Sequence, residues 1–391
     1  TARPSDASTG PDQPAASTAS LDAAVVIEPK GIPAAASDVL VPIDIQTAGP
    51  QETAEAPETA GPNAGSNAGP TTATDEHGNT ITYEMRKAPL AIRLVNLAAV
   101  VIPFLGLIAA IVLLWGTAFN WLYLGLLAGM YILTGLGITV GYHRLFTHRS
   151  FTTPKPVAMV FAMLGSMAIE GPMLQWVANH RKHHQHSDHE EDPHSPHAHG
   201  GGVIGTLRGL WHAHMGWFLN SHTFVSVKDG VSCVPQKLTR YVKDLEQDRF
   251  YRWMSNTFPV WAGLGLAIPA VLGGLITMTW MGALLGFIWG GLVRVLLLHH
   301  VTWSINSVCH IWGTQPFKSH DESRNNAIFG VLAMGEGWHN NHHAFPTSAR
   351  HGLRWWEFDI SYLVIKGLEC IGLASQVRVP TAERMAAKRA H

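Results

Sequence analysis

Residues 121–148 read WLYLGLLAGMYILTGLGITVGYHRLFTH. Residues 121–140 of this stretch carry no charged side chain and no histidine. Their length matches the roughly 20 apolar residues that an α-helix needs to cross the hydrocarbon core of a bilayer. His143 and His148 follow at once. A stretch fit for lipid that ends on histidines points to an integral membrane protein with chemistry at one end of its spans.

Three more apolar stretches have similar length: residues 91–116, 258–278 and 282–298. With 121–140 they make two close pairs, whose connectors, 117–120 and 280–281, contain no Lys or Arg. The pattern predicts two transmembrane hairpins and an all-α fold. Four crossings put the N-terminal segment, residues 141–257 and residues 299–391 on one side. Lys and Arg concentrate there, so that side is expected to be cytoplasmic, with both termini. Arg294 lies near the end of the last stretch, where its side chain is expected to snorkel to the interface. Two weaker apolar segments, 157–169 and 355–373, are expected to be interfacial or re-entrant helices.

Composition supports this reading. Only 14% of the 391 residues are charged, against about 25% in a typical soluble domain. The net charge of −1 gives no reason to expect a nucleic-acid partner. Cys233, Cys309 and Cys370 form no CxxC pair, which argues against a disulfide framework or a thiolate zinc site and fits a reducing compartment. Residues 1–84 are rich in Ala, Pro, Thr, Gly and Ser and are expected to be a disordered tail. Residues 85–380 are expected to form the folded domain, with 141–257 and 299–380 as its helical cap, and 381–391 a C-terminal tail.

The 23 histidines are the outlier. None lies in the four apolar stretches, and all but His77 fall from His143 onward. They include His143 and His148, then HRKHH with His180, His183 and His184, then HNNHH with His339, His342 and His343. In a helix, positions i, i+3 and i+4 share a face, so each HxxHH group is expected to aim three imidazoles at one place. NSVCH adds Asn306 and His310. Neutral imidazole is a common ligand of iron and zinc, and this number of donors exceeds what one ion needs. The reading is a two-metal site. His186, His189, His194, His197 and His199, irregularly spaced, read as solvated loop residues.

The segments HRLFTH, HRKHH, NSVCH and GEGWHNNHHAFP, in this order, resemble the membrane-bound fatty acid desaturases, and among them the delta-9, stearoyl-CoA type. Asp192-Pro193-His194, Gly216-Trp217 and Gly335-Glu336-Gly337 extend the likeness. The resemblance implies a di-iron centre on His143, His148, His180, His183, His184, His310, His339, His342 and His343, with Asn306 holding a metal-bound water. It implies O2 as co-substrate and a cis double bond, at delta-9, in a long-chain acyl group carried as acyl-CoA or acyl-lipid. It also implies a separate electron donor: a ferredoxin- or cytochrome b5-like protein, or an NAD(P)H-dependent reductase.

Trp176, Trp217 and, about 18 Å along a helix from His143, Tyr131 are expected to line the acyl tunnel. Ala178 and Asn220-Ser221-His222 stand where acyl-CoA members of the family carry basic residues. Arg181, Lys182 and Arg208 are the candidates to replace them. A membrane di-iron hydroxylase would share this metal site and differ in product. A transporter would place ionisable residues within the spans, which are nearly free of them.

Overall fold

A computed structural model describes residues 71–74, 80–83, 90–116, 120–189, 191–220 and 236–390. Most of the expected tail, the first connector apart from Asn120, and Ser221 and His222 lie outside the described residues. Within the expected tail, Thr71–Thr74 and Thr80–Tyr83 pair as an antiparallel hairpin with Thr71 opposite Tyr83. Their threonines favour extended backbone.

The remainder is helical. In chain order the main helices are α1 (Leu90–Gly116), α2 (Trp121–Thr147), α3 (Lys155–Met167), α4 (Met173–His186), α5 (Gly202–Trp211) and α6 (Arg249–Asn256). Then follow α7 (Phe258–Thr277), α8 (Trp280–His310), α9 (Ala327–Leu332), α10 (His339–Ala344), α11 (Ile360–Cys370) and α12 (Ala382–Ala387). Four of them, α1, α2, α7 and α8, are long and apolar enough to cross a membrane. Segment 157–169 becomes α3, too short to span, and 355–373 contains the amphipathic α11.

The spans differ in how much protein covers them. The apolar windows of α1 and α7 are only 22% and 17% buried, against 44% and 61% for α2 and α8. The outward side chains of α1 and α7, which include Leu94, Phe104, Val271 and Leu275, form apolar surfaces suited to lipid. The better-covered α2 and α8 are also the two that carry histidines.

Both inner helices outrun their apolar stretches. The α2 helix does not stop at Val140 but widens into π-helical geometry over Gly137–Thr147 and carries His143 with it. Such widened turns are rare and cluster at functional sites. The α8 helix widens similarly over Phe287–Val293 and closes in a tight turn, Val308–His310. Arg294 corrects an expectation. It is fully buried and does not snorkel; its guanidinium donates to Gly265 O at 2.8 Å and Met167 O at 3.0 Å. Two helix backbones supply the acceptors that water would otherwise provide.

Small residues allow α2 and α3 to touch. A Cβ on Gly137 would lie 2.2 Å from Gly165 N, and one on Gly165 would lie 2.4 Å from the Tyr142 ring. Tyr142, beside His143, is fastened by a 2.7 Å hydrogen bond to Ser166. Below the histidines, Ile138, Tyr142, Ala162, Leu174, Val177 and Met254 pack as one buried cluster.

Candidate metal centre

Four elements converge on the site. The end of α2 supplies His143, with His148 just past it; α4 supplies His180, His183 and His184. The end of α8 supplies His310, and α10 supplies His339, His342 and His343. The structure brings all nine together, in two groups: His143, His148, His180, His184 and His342, and then His183, His310, His339 and His343. Within each group the ligand atoms lie within 4.8 Å of one another. The groups adjoin, with the His184 and His343 rings stacked at 4.4 Å.

Neither HxxHH box points to one place, which corrects the sequence expectation. His180 and His184 join the first group and His183 the second. His339 and His343 join the second group and His342 the first. Each box thus gives an i, i+4 pair to one group and its i+3 member to the other. Asn306 is half-buried on α8 and lines the adjoining cavity.

The back of each ring shows what the front is for. Nδ1 of His183 lies 3.0 Å from Asp192, that of His310 2.8 Å from Asp188, and that of His343 2.5 Å from Asp321. His143 Nδ1 lies 2.6 Å from Glu336, which also accepts from Arg144. A carboxylate on Nδ1 fixes the proton there and leaves Nε2 as a lone pair facing inward. His310 Nε2 and His339 Nε2 lie 3.0 Å apart, and His143 Nε2 and His342 Nε2 3.1 Å apart. The Nε2 atoms of His148, His183 and His343 are buried without a hydrogen-bond partner. Lone pairs facing one another in a dry interior call for a cation, so the donor set fits metal ions.

Electrostatics agree. Burial, then neighbouring imidazoles, hold His148, His180, His184, His339 and His342 well below the ordinary histidine range. They are neutral, the form that ligates. For His183, burial pushes the pKa down but Asp192 outweighs it and raises it. Asp321 and Asp192 are held below the usual carboxylate range by His343 and His183, against their own burial.

A cavity leads to this centre, lined by Ile138, Gln175, Trp176, Trp217, Trp303 and Ile305 and by His143, His180 and His339. Trp176 stacks on His180 at 5.1 Å and donates to Glu170 at 3.1 Å. Both expected tryptophans therefore line the cavity. Tyr131 does not; it is half-buried and its hydroxyl donates to Leu332 O at 2.8 Å. Arg181 is placed otherwise than expected: it pairs with Asp244 at 2.7 Å and donates to the Phe146 and Tyr241 carbonyls. Lys182 is half-buried and Arg208 exposed on α5; neither lines the cavity.

His351 was not picked out from the sequence, and His194 and His197 were read there as solvated loop residues. His351 is fully buried, 3.1 Å from Glu336 and 4.4 Å from the His342 ring. His194 is buried rather than solvated, its ring 4.4 Å from His183. His197 meets His310 O at 3.0 Å. Of the acids, Asp192 and Glu336 stood in segments quoted for the family likeness, and Asp188 and Asp321 gave no sequence signal.

Fold and site together define a helical protein with four membrane-suited spans and a paired histidine centre. The fatty acid desaturase family model matches residues 119–362. The chain is 44% identical over 291 residues to the hex-5-enoyl-[acyl-carrier protein] acetylenase of Moorena producens, which covers 74% of this chain and 87% of the relative. It is 40% identical to the palmitoyl-monogalactosyldiacylglycerol delta-7 desaturase of Arabidopsis thaliana, over 67% of this chain and 64% of the relative. It is 37% identical to the sn-1 stearoyl-lipid 9-desaturase of Synechocystis, over 69% and 76%. The chain belongs to the fatty acid desaturase family.

Proposed function

We propose that this chain is an O2-dependent di-iron desaturase that places a cis double bond, at delta-9, in a long saturated acyl chain held by a lipid. The observation that carries the reading is the apolar cavity that ends on the two histidine groups. An unactivated C–H bond yields to neither acid nor base. Bound iron supplies the one-electron chemistry with O2 that such a bond requires. The balance is R–CH2–CH2–R′ + O2 + 2 e⁻ + 2 H⁺ → R–CH=CH–R′ + 2 H2O.

The protein's part is positional. The nine histidines, with Asn306 through water, would hold the metals. Asp188, Asp192, Asp321 and Glu336 orient the rings. Trp176, Trp217 and Ile305 hold the acyl segment dry beside the centre. Position delta-9 and the lipid carrier draw on relatives named as stearoyl-lipid and acyl-lipid 9-desaturases. Among the described residues the cavity lining has no Lys or Arg, and Arg181 is engaged by Asp244, which favours acyl-lipid over acyl-CoA. The histidine side faces the cytoplasm, and a separate protein delivers the electrons.

The test supplies purified protein with a ferredoxin and its reductase, O2 and either stearoyl-lipid or stearoyl-CoA. Metal analysis must first find two irons per chain and no zinc. Mass spectrometry should show loss of two hydrogens from the lipid substrate. A product that has gained one oxygen makes the chain a hydroxylase, and no product from two-iron protein sinks the reading.

A further inference from the structure

One short segment joins both histidine groups to the surface. His320 has a side chain 53% exposed, yet its Nε2 donates to His184 O at 3.2 Å. The next residue, Asp321, is buried and holds His343 Nδ1 at 2.5 Å. One surface position therefore lies a single step from each group.

The surface beside it is cationic. Lys318 N donates to Lys388 O at 2.7 Å, and Phe317 pairs with Arg389, so the C-terminal stretch lies along residues 316–318. Lys388 Nζ donates to Ala344 O at 2.7 Å, next to His343, and sits 5.5 Å over the Phe345 ring. Arg378 and Arg384 line a shallow pocket that also contains Phe345. Lys318, Arg378, Arg384 and Arg389 are exposed, and Lys388 half-exposed. Among residues 378–389 the one acid is Glu383, and Glu322 beyond Asp321 is paired with Arg324 at 2.9 Å.

We propose that this face, Lys318 and His320 with the basic stretch 378–389, is the docking surface for a small acidic one-electron carrier protein. The proposal rests on the reading of the histidine centre as a redox site fed from outside. Charge of one sign around a concave spot steers an oppositely charged partner and sets its orientation. Docked here, the carrier's redox group faces His320, and its electrons have short routes to both groups, through His184 and through Asp321–His343. An anionic lipid surface would match the charge, but nothing in lipid recognition needs the face to sit over the third histidine box.

The test measures binding of an acidic plant-type [2Fe–2S] ferredoxin to the full chain in zwitterionic nanodiscs, with basic cytochrome c as the control. Lys318→Glu with Arg384→Glu should weaken ferredoxin binding about tenfold or more at low ionic strength. The difference should vanish at high salt, and Lys318→Arg with Arg384→Lys should restore binding. Reduction of the metal centre by dithionite should be the same in all forms. Unchanged ferredoxin binding in the Glu double variant overturns the proposal. So does an effect confined to nanodiscs containing phosphatidylglycerol, which would mark a lipid-binding face. Failure of the desaturase assay with the binding result intact would instead remove the functional reading and leave the docking surface standing.

Discussion

At the residue scale the centre depends on what stands behind each ring. Asp192 accepts from His183 Nδ1 and also from the backbone N–H groups of Asp188 and His194, at 2.9 and 3.1 Å. Asp192→Asn keeps the shape and removes the charge that fixes the ring's proton. Losing such a partner costs about 10- to 100-fold in metal affinity. Iron release to a chelator should quicken accordingly while the fold, followed by circular dichroism, is kept; unchanged release would show that His183 needs no such anchor. Glu170 makes a second case. Burial pushes its carboxyl up to about 7, against the pull of Thr302, Trp176 and Arg294. A carboxyl raised above its unfolded value of 4.5 contributes its full stability below that pH and loses it as pH rises through about 7. Wild type should therefore fall in Tm relative to Glu170→Gln between about pH 4.5 and 7 and run parallel above; a constant difference would contradict the shift. The nine imidazoles were legible because their spacing is local. Two of their four carboxylate partners were not: Asp188 and Asp321 meet His310 and His343 only through the fold.

At the element scale the sequence reading was right about helices and too coarse about faces. The α4 and α10 helices carry their boxes as expected. A helix turns about 100° per residue, so i and i+4 differ by about 40° while i+3 and i+4 differ by about 100°. One face for three rings was an approximation, and the two groups use the difference. Packing between elements was less legible still, because nothing local marks Gly137 and Gly165 as a helix crossing. Gly165→Ala puts a methyl 2.4 Å from the Tyr142 ring and 2.9 Å from Gly137 O. Overpacking of this kind costs about 1–3 kcal/mol, and here it pushes α3 away from the helix bearing His143. Tm and iron content should both drop. Gly263→Ala, with nothing within 4 Å of the added carbon, should leave both near wild type. Equal behaviour of the two variants would remove the crossing from the account of the site.

At the scale of the whole molecule, apolar length found all four spans, since crossing lipid is a requirement on single helices. It could not say that α2 and α8 are the inner pair, or that Arg294 is held by two backbones, because those depend on neighbours. Orientation belongs to this scale too. The tight turn between α7 and α8 includes Met278, 83% exposed with a left-handed backbone at φ 54°. Glu322 lies near the histidines, its side chain 54% exposed. In the proposed topology, with the Lys- and Arg-rich side in the cytoplasm, these two positions lie on opposite faces of the membrane. With Cys233 and Cys370 replaced by Ser and Cys309 buried, Met278→Cys should react with a membrane-impermeant maleimide from outside intact cells. Glu322→Cys should react only after the membrane is opened or inverted. Reversed labelling would place the histidines outside and deny them a cytoplasmic electron donor. Labelling of both from one side would break the two-hairpin topology itself, since four crossings cannot bring a hairpin's tip to the side of its ends.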